Sequence, residues 1–288
     1  MGTTPAEAHH ADRGRMGRIA RFPLAWMLMG LLGVGVMSAL TAAGEPGTVS
    51  GTVLPVAGAA AAVAVYGAVM RFVARRRTPE IAGHRAGREA LLGGGIGLAF
   101  VLVSASLIAA FGGYAFTWSG RDILSVAVPV AAVSVGAAVT EELIFRGLVL
   151  QAVERLCGSK AALAITALLF GGLHLANPGA TVWSSVAIAL EAGVLLGAAF
   201  LWRRSIWFVV GLHFAWNTTE GLLGIPVSGH VSEGLLTADV TGPALLTGGG
   251  FGLEASIVPV VVSVLLSVPM LFLAHRRGHL VSLRRAGR

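Results

Sequence analysis

Apolar runs long enough to cross a bilayer recur along this chain, and its positive charge lies almost entirely in alternate connections between them. A spanning helix needs about 20 mostly apolar residues. Eight segments read as spans: Phe22–Ala43, Thr52–Val73, Ala90–Phe111, Leu124–Val153, Ala161–Ala176, Val182–Trp202, Ile206–Gly224 and Ala255–Ala274. With the N-terminus placed in the cytoplasm, 19 of the 21 Lys and Arg residues fall on the cytoplasmic face, as topology by positive charge requires. Arg121, on the outer side, and Arg146, within a span, are the exceptions. The expected fold is an all-α polytopic bundle of about eight spanning helices with both termini cytoplasmic.

The division that follows is a basic cytoplasmic tail (1–21), three N-terminal membrane helices (22–121), a four-helix core (122–225), an external loop without Lys or Arg (226–254), and a last helix with a basic tail (255–288). The first apolar run, about 22 residues, exceeds the 7–15 of a secretory signal, so it reads as an uncleaved helix. Only 12% of residues are charged, about half the share in a soluble domain. The net charge of +7 is accounted for by topology, with a minor attraction to anionic lipid, and nucleic acid is not an expected partner. Cys157 is the single cysteine, which excludes an internal disulfide and a cysteine metal cage.

Ionisable groups inside a span are costly and need a reason. Helix four holds Glu141, Glu142 and Arg146 within Thr140-Glu141-Glu142-Leu143-Ile144-Phe145-Arg146. Glu142 and Arg146, four apart, share a helix face and pair, whereas Glu141 points about 100° away and is left for a functional role. Helix five carries Phe170-Gly171-Gly172-Leu173-His174, its two glycines open to close approach by another backbone. Helix seven carries His213-Phe214-Ala215-Trp216-Asn217, with imidazole and amide on one face. Glu220, near the end of that helix, reads as an interfacial acid, and Glu191 in helix six has no polar neighbour one turn away. Asp12, Asp122 and Asp239, the only aspartates, all lie outside the deep membrane, which excludes a paired-aspartate protease. No His-Glu-x-x-His or Gly-x-Ser-x-Gly sequence occurs, so neither the usual zinc helix nor a serine elbow is present.

Glu-Glu-x-x-x-Arg, Phe-x-x-x-His and His-x-x-x-Asn, in that order on separate membrane helices, resemble the CAAX-protease and bacteriocin-processing (CPBP, or Abi) family of intramembrane proteases. The resemblance covers roughly Ser125–Glu220. It implies an endopeptidase in the bilayer whose peptide or protein substrate arrives from the membrane. Family proteins are commonly labelled metalloproteases, although a metal-free glutamate mechanism is also described for them.

The residues then fit two assignments. In one, Glu141 is the general base, His174 positions the water, His213 and Asn217 donate to the oxyanion, and Glu142 and Arg146 support helix four. In the other, Glu141, His174 and His213 bind Zn²⁺ with water as the fourth ligand. The two rival classes are a non-proteolytic scaffold or bacteriocin self-immunity protein on the same fold, and a transporter using the intramembrane acids as a proton relay; the latter lacks the internal repeats typical of transporters. The Ala/Gly/Arg-rich sequence points to a bacterial inner membrane. Counting 1.5 Å per residue places His174 about 20 Å along its helix and His213 about 10 Å along its own, so tilt or shifted helix ends must bring the motifs to one depth.

Overall fold

A computed structural model describes residues 22–45, 47–231 and 233–283; the N-terminal basic tail and Arg284, Arg285 and Arg288 lie outside the described residues. The helices are α1 (Pro23–Ala42), α2 (Val49–Ala68), α3 (Gly83–Ala110), α4 (Ile123–Glu142), α5 (Leu150–Leu173), α6 (Val182–Ile188), α7 (Gly197–Arg203), α8 (Ile206–Leu222) and α9 (Ile257–Arg276). Wide π-helical turns, Leu143–Val149 and Ala189–Leu196, join α4 to α5 and α6 to α7 without a break in the rod.

Among the described residues, six helices are long and apolar enough to cross a membrane. This differs from the eight expected spans at two places. First, the fourth and fifth spans follow one another within a single 54-residue stretch, Ile123–Ala176, as two helices that meet at a kink. Gly158, at φ 79° and ψ 167°, makes that kink. That left-handed backbone suits glycine, and a Cβ there would lie 2.9 Å from the Val281 carbonyl. The C-terminal strand of chain fills this bend: the Ser159 N–H donates to the Val281 carbonyl at 3.0 Å. Second, α8 has 17 residues, about 26 Å of helix, short of a core about 30 Å thick. It starts inside the protein, with Ile206 and Val209 fully buried. Arg204, in a left-handed turn at φ 51°, anchors that start by a bidentate pair with Glu154 at 2.6 and 2.7 Å.

The bundle wraps one central rod. Of the most apolar 18-residue window of Val182–Arg203, 78% is buried, against 17–39% of the matching windows in the other five spans. The outer helices turn Leu28, Leu32, Leu168, Leu265 and Phe272 outward, as lipid-facing surfaces require. The segment expected to be an external loop is ordered: β2 (Leu236–Val240) pairs antiparallel with β1 (Tyr114–Trp118) across the ends of the helices. Arg121, the outlying cation, pairs there with Glu233 at 2.7 Å.

α8, which carries the third motif, is held by α3. Without a hydrophobic drive between helices in lipid, small residues permit the contact. An added Cβ on Gly93 would stand 1.9 Å from the Phe208 carbonyl, and one on Gly97 2.2 Å from that of Leu212. From α8, Gly211 meets the Ala90 carbonyl in the same way. Gly93→Ala must therefore push α8 from its seat. We expect a loss of about 1–3 kcal/mol, measured as a lower melting temperature in detergent, while Gly95→Ala, at open space, is near neutral.

Candidate active site

The three motifs meet. The Phe170 ring is the hub: His174 stacks on it at 4.7 Å between centroids, Phe145 meets it edge-on at 4.7 Å and His213 at 6.5 Å. The Arg146 guanidinium carbon lies 4.9 Å from the same ring. The motifs meet although they stand at different distances along their helices, because α8 begins within the bundle. Of the two glycines before His174, Gly171 provides the expected close approach, 2.3 Å from its would-be Cβ to the Ser185 carbonyl; Gly172 faces open space.

Arg146 is fully buried with Glu142, and the two pair at 2.9 Å. The guanidinium also donates to the Ala192 carbonyl at 2.5 Å and the Gly193 carbonyl at 3.3 Å. Both carbonyls belong to the π turn Ala189–Leu196, and Arg146 itself lies in the π turn Leu143–Val149. Wide turns of this kind are frequent at functional sites. Here they place a cation from one rod on carbonyl acceptors of the next, which satisfies a charge that the bilayer interior would otherwise penalise.

Glu142 does more than pair. Its Oε1 also lies 3.0 Å from His213 Nδ1. A carboxylate can only accept, so Nδ1 carries the proton and His213 Nε2 faces away. That Nε2 lies 4.0 Å from Glu141 Oε2. Two consecutive carboxylates thus straddle one imidazole, the buried one orienting it and the other, about one-third exposed, reaching its far side. His174 is fixed likewise: Nδ1 lies 2.7 Å from the Phe170 carbonyl, which makes Nδ1 the donor and leaves Nε2 with a lone pair. Asn217 is half-buried on the face of α8 that carries His213.

Both tautomers would suit metal ligation through Nε2, with an acceptor behind each ring. Ligand geometry is another matter. Among the described residues no three His, Cys, Asp or Glu side chains are gathered closely enough to hold an ion. Glu141, His174 and His213 as arranged do not form the three-ligand cage of a catalytic zinc site.

Acids surround the centre more closely than the sequence indicates. Glu220 is not interfacial: it is fully buried and accepts the Trp216 indole N–H at 3.0 Å, because the β1–β2 pair and residues 225–254 cover that end of α8. Glu191 is fully buried in the central rod. Glu254, from the 3-10 turn Leu253–Ala255, accepts from the Ser228 backbone at 2.6 Å and its hydroxyl at 2.7 Å. Asn177, three residues after His174, donates to the Ser228 carbonyl at 3.0 Å. Burial pushes the Glu254 carboxyl above its usual range, against the opposing pull of the Ser228 bonds and of His174 and His213. A lone loop acid has no periodic partner in sequence, so nothing there marked Glu254.

A helical membrane bundle that sets two carboxylates beside one of two oriented imidazoles, with an amide one turn farther along α8, has the parts of an intramembrane hydrolase. Residues 123–219 match the family model described as type II CAAX prenyl endopeptidase Rce1-like. That segment, which contains all three motifs, belongs to the CPBP/CAAX-protease family. Comparison with curated proteins and with solved structures finds no match.

Proposed function

We propose that this protein is an intramembrane endopeptidase in which Glu141 activates a water against a peptide carbonyl. The approach of Glu141 Oε2 to His213 Nε2, 4.0 Å apart, with the ring locked from behind by Glu142, is the observation that carries the reading. The family assignment of residues 123–219 supports peptide-bond hydrolysis as the reaction.

Glu141 takes a proton from the water as its oxygen bonds to the peptide carbon, and the carbonyl π electrons move to oxygen. His174, with a lone pair at Nε2, accepts the water's second hydrogen and aims the nucleophile. Asn217 donates its amide N–H to the oxyanion. His213 donates from Nε2 only as the imidazolium, a form that the flanking carboxylates Glu141 and Glu142 suit. Collapse of the tetrahedral adduct breaks the C–N bond, and the proton held by Glu141 passes to the leaving amine. The substrate is a peptide or protein that reaches the site from the bilayer, in an inner membrane with both chain ends on the basic, cytoplasmic side.

No step runs through a metal. Purified protein stripped by a chelator retains its cleavage rate, measured on a membrane substrate. A loss that zinc alone restores would overturn the metal-free reading and reinstate Glu141, His174 and His213 as ligands.

A further inference from the structure

Where the second span leaves the membrane, the chain builds a basic cradle that the proposed chemistry does not use. α2 ends in the π turn Val69–Val73. The chain then reverses: Arg75 adopts a left-handed conformation at φ 52°, and the Arg76 N–H donates back to the Met70 carbonyl at 3.0 Å. The reversal brings Arg76, Arg77 and Thr78 beneath the end of the helix. They line, with Gly67, Arg71 and Phe72, a cavity of about 640 Å³.

The lining has two chemical halves. Arg76 is committed, pairing with Glu80 at 2.7 Å and donating to the Tyr66 hydroxyl at 3.0 Å. Arg71 and Arg77 are exposed and have no acidic partner among the described residues. The other half is apolar: Phe72, 70% exposed, stands at the rim, and Gly67 leaves the wall open, its would-be Cβ meeting only Ile81 at 3.8 Å. A free anion would need the guanidinium groups alone. Paired cationic and apolar walls at the edge of the bilayer fit a phosphate that carries acyl chains, and basic clusters at the cytoplasmic end of a spanning helix take such headgroups.

We propose that this cradle binds the headgroup of an anionic phospholipid. The site is joined to the catalytic rod. Arg76 also donates to Gln151 at 3.1 Å, and the Gln151 amide donates to the Gly147 and Arg146 carbonyls at 2.9 and 3.3 Å. Those carbonyls lie in the π turn that follows Glu141 and Glu142. A headgroup held by Arg71 and Arg77 thus sits beside Arg76, which is hydrogen-bonded through Gln151 to that turn.

The test uses the full chain in neutral detergent, titrated with phosphatidylglycerol or phosphatidylcholine and followed by melting temperature. Phosphatidylglycerol raises the melting temperature and phosphatidylcholine does not. In Arg71→Gln/Arg77→Gln the phosphatidylglycerol concentration required rises about thirty-fold, at the usual contribution per basic residue, and Arg71→Lys/Arg77→Lys largely restores it. An unchanged requirement in the Gln pair overturns the site. An equal shift from inorganic phosphate overturns the lipid as its ligand. Native mass spectrometry of the wild-type protein supplies an answer that does not depend on the variants folding: a retained anionic phospholipid supports the site, and retention of neutral lipid in equal amount refutes it.

Discussion

Replacing Glu141 by Gln lowers peptide-bond hydrolysis by about 10²–10⁴-fold, the contribution of a positioned general base, and leaves the melting temperature nearly unchanged. The side chain is about one-third exposed and approaches only His213. Its loss strands no buried partner, and changes of that kind stay within about 0.5 kcal/mol. The amide is nearly isosteric but cannot take a proton from water, so the rate falls for a chemical reason. Asn217→Ala, which removes one oxyanion donor, costs about 10²–10³. Because Glu141 and His174 act on one water, Glu141→Gln/His174→Ala is hardly slower than either single variant, as with residues that work as a unit. The measurement compares membrane proteomes of cells carrying wild type, Glu141→Gln or a deletion. Substrates accumulate uncleaved in the last two alike. If Glu141→Gln behaves as wild type, the protein is a scaffold and the proposed hydrolysis is wrong.

The parts of this arrangement that sequence makes legible are those encoded along one helix. Glu142 and Arg146 are four apart, so their pairing follows from periodicity, and the divergence of Glu141 from Glu142 follows from the same 3.6-residue turn. Apolar run length and charge sorting mark the bundle. What escapes is the set of contacts between helices. Glu142 orients His213 across 71 positions, and periodicity carries no information at that range. The Ala192 and Gly193 carbonyls that hold Arg146 belong to backbone that every residue has, and no side-chain pattern marks the π turn that exposes them. The glycines of α3 are different. Gly93-x-x-x-Gly97 is a recognisable packing motif, but it lies outside the three polar motifs, so its role in seating His213 became visible only when α3 and α8 were seen in contact. Glu220 was misplaced because its depth depends on the fold of residues 225–254, whose Gly, Ser and Thr content reads as loop although β2 is ordered on β1.

Glu142 and Arg146 carry the largest effect on stability, and here the single and double variants separate two roles. Both side chains are fully buried and meet at 2.9 Å. Arg146→Met leaves the Glu142 carboxylate buried without its cation, and Glu142→Gln leaves Arg146 with carbonyls alone. Breaking a buried pair from one side costs about 3–5 kcal/mol. Glu142→Gln/Arg146→Met has no uncompensated charge, so it is no less stable than either single variant, and the coupling energy reaches about 2–3 kcal/mol. Activity does not recover with stability. The amide carbonyl that replaces the Glu142 carboxylate still accepts the His213 Nδ1 proton, which keeps the ring in place, but the negative charge that suits an imidazolium at Nε2 is gone. Loss of a charge this close to the ring costs about 10–100-fold, and that loss persists in the double variant. Melting curves and cleavage rates on the four proteins of the cycle decide the matter. Coupling below about 0.5 kcal/mol would make the pair energetically independent, and full activity in the double variant would remove Glu142 from the support of His213, leaving it a role in packing only.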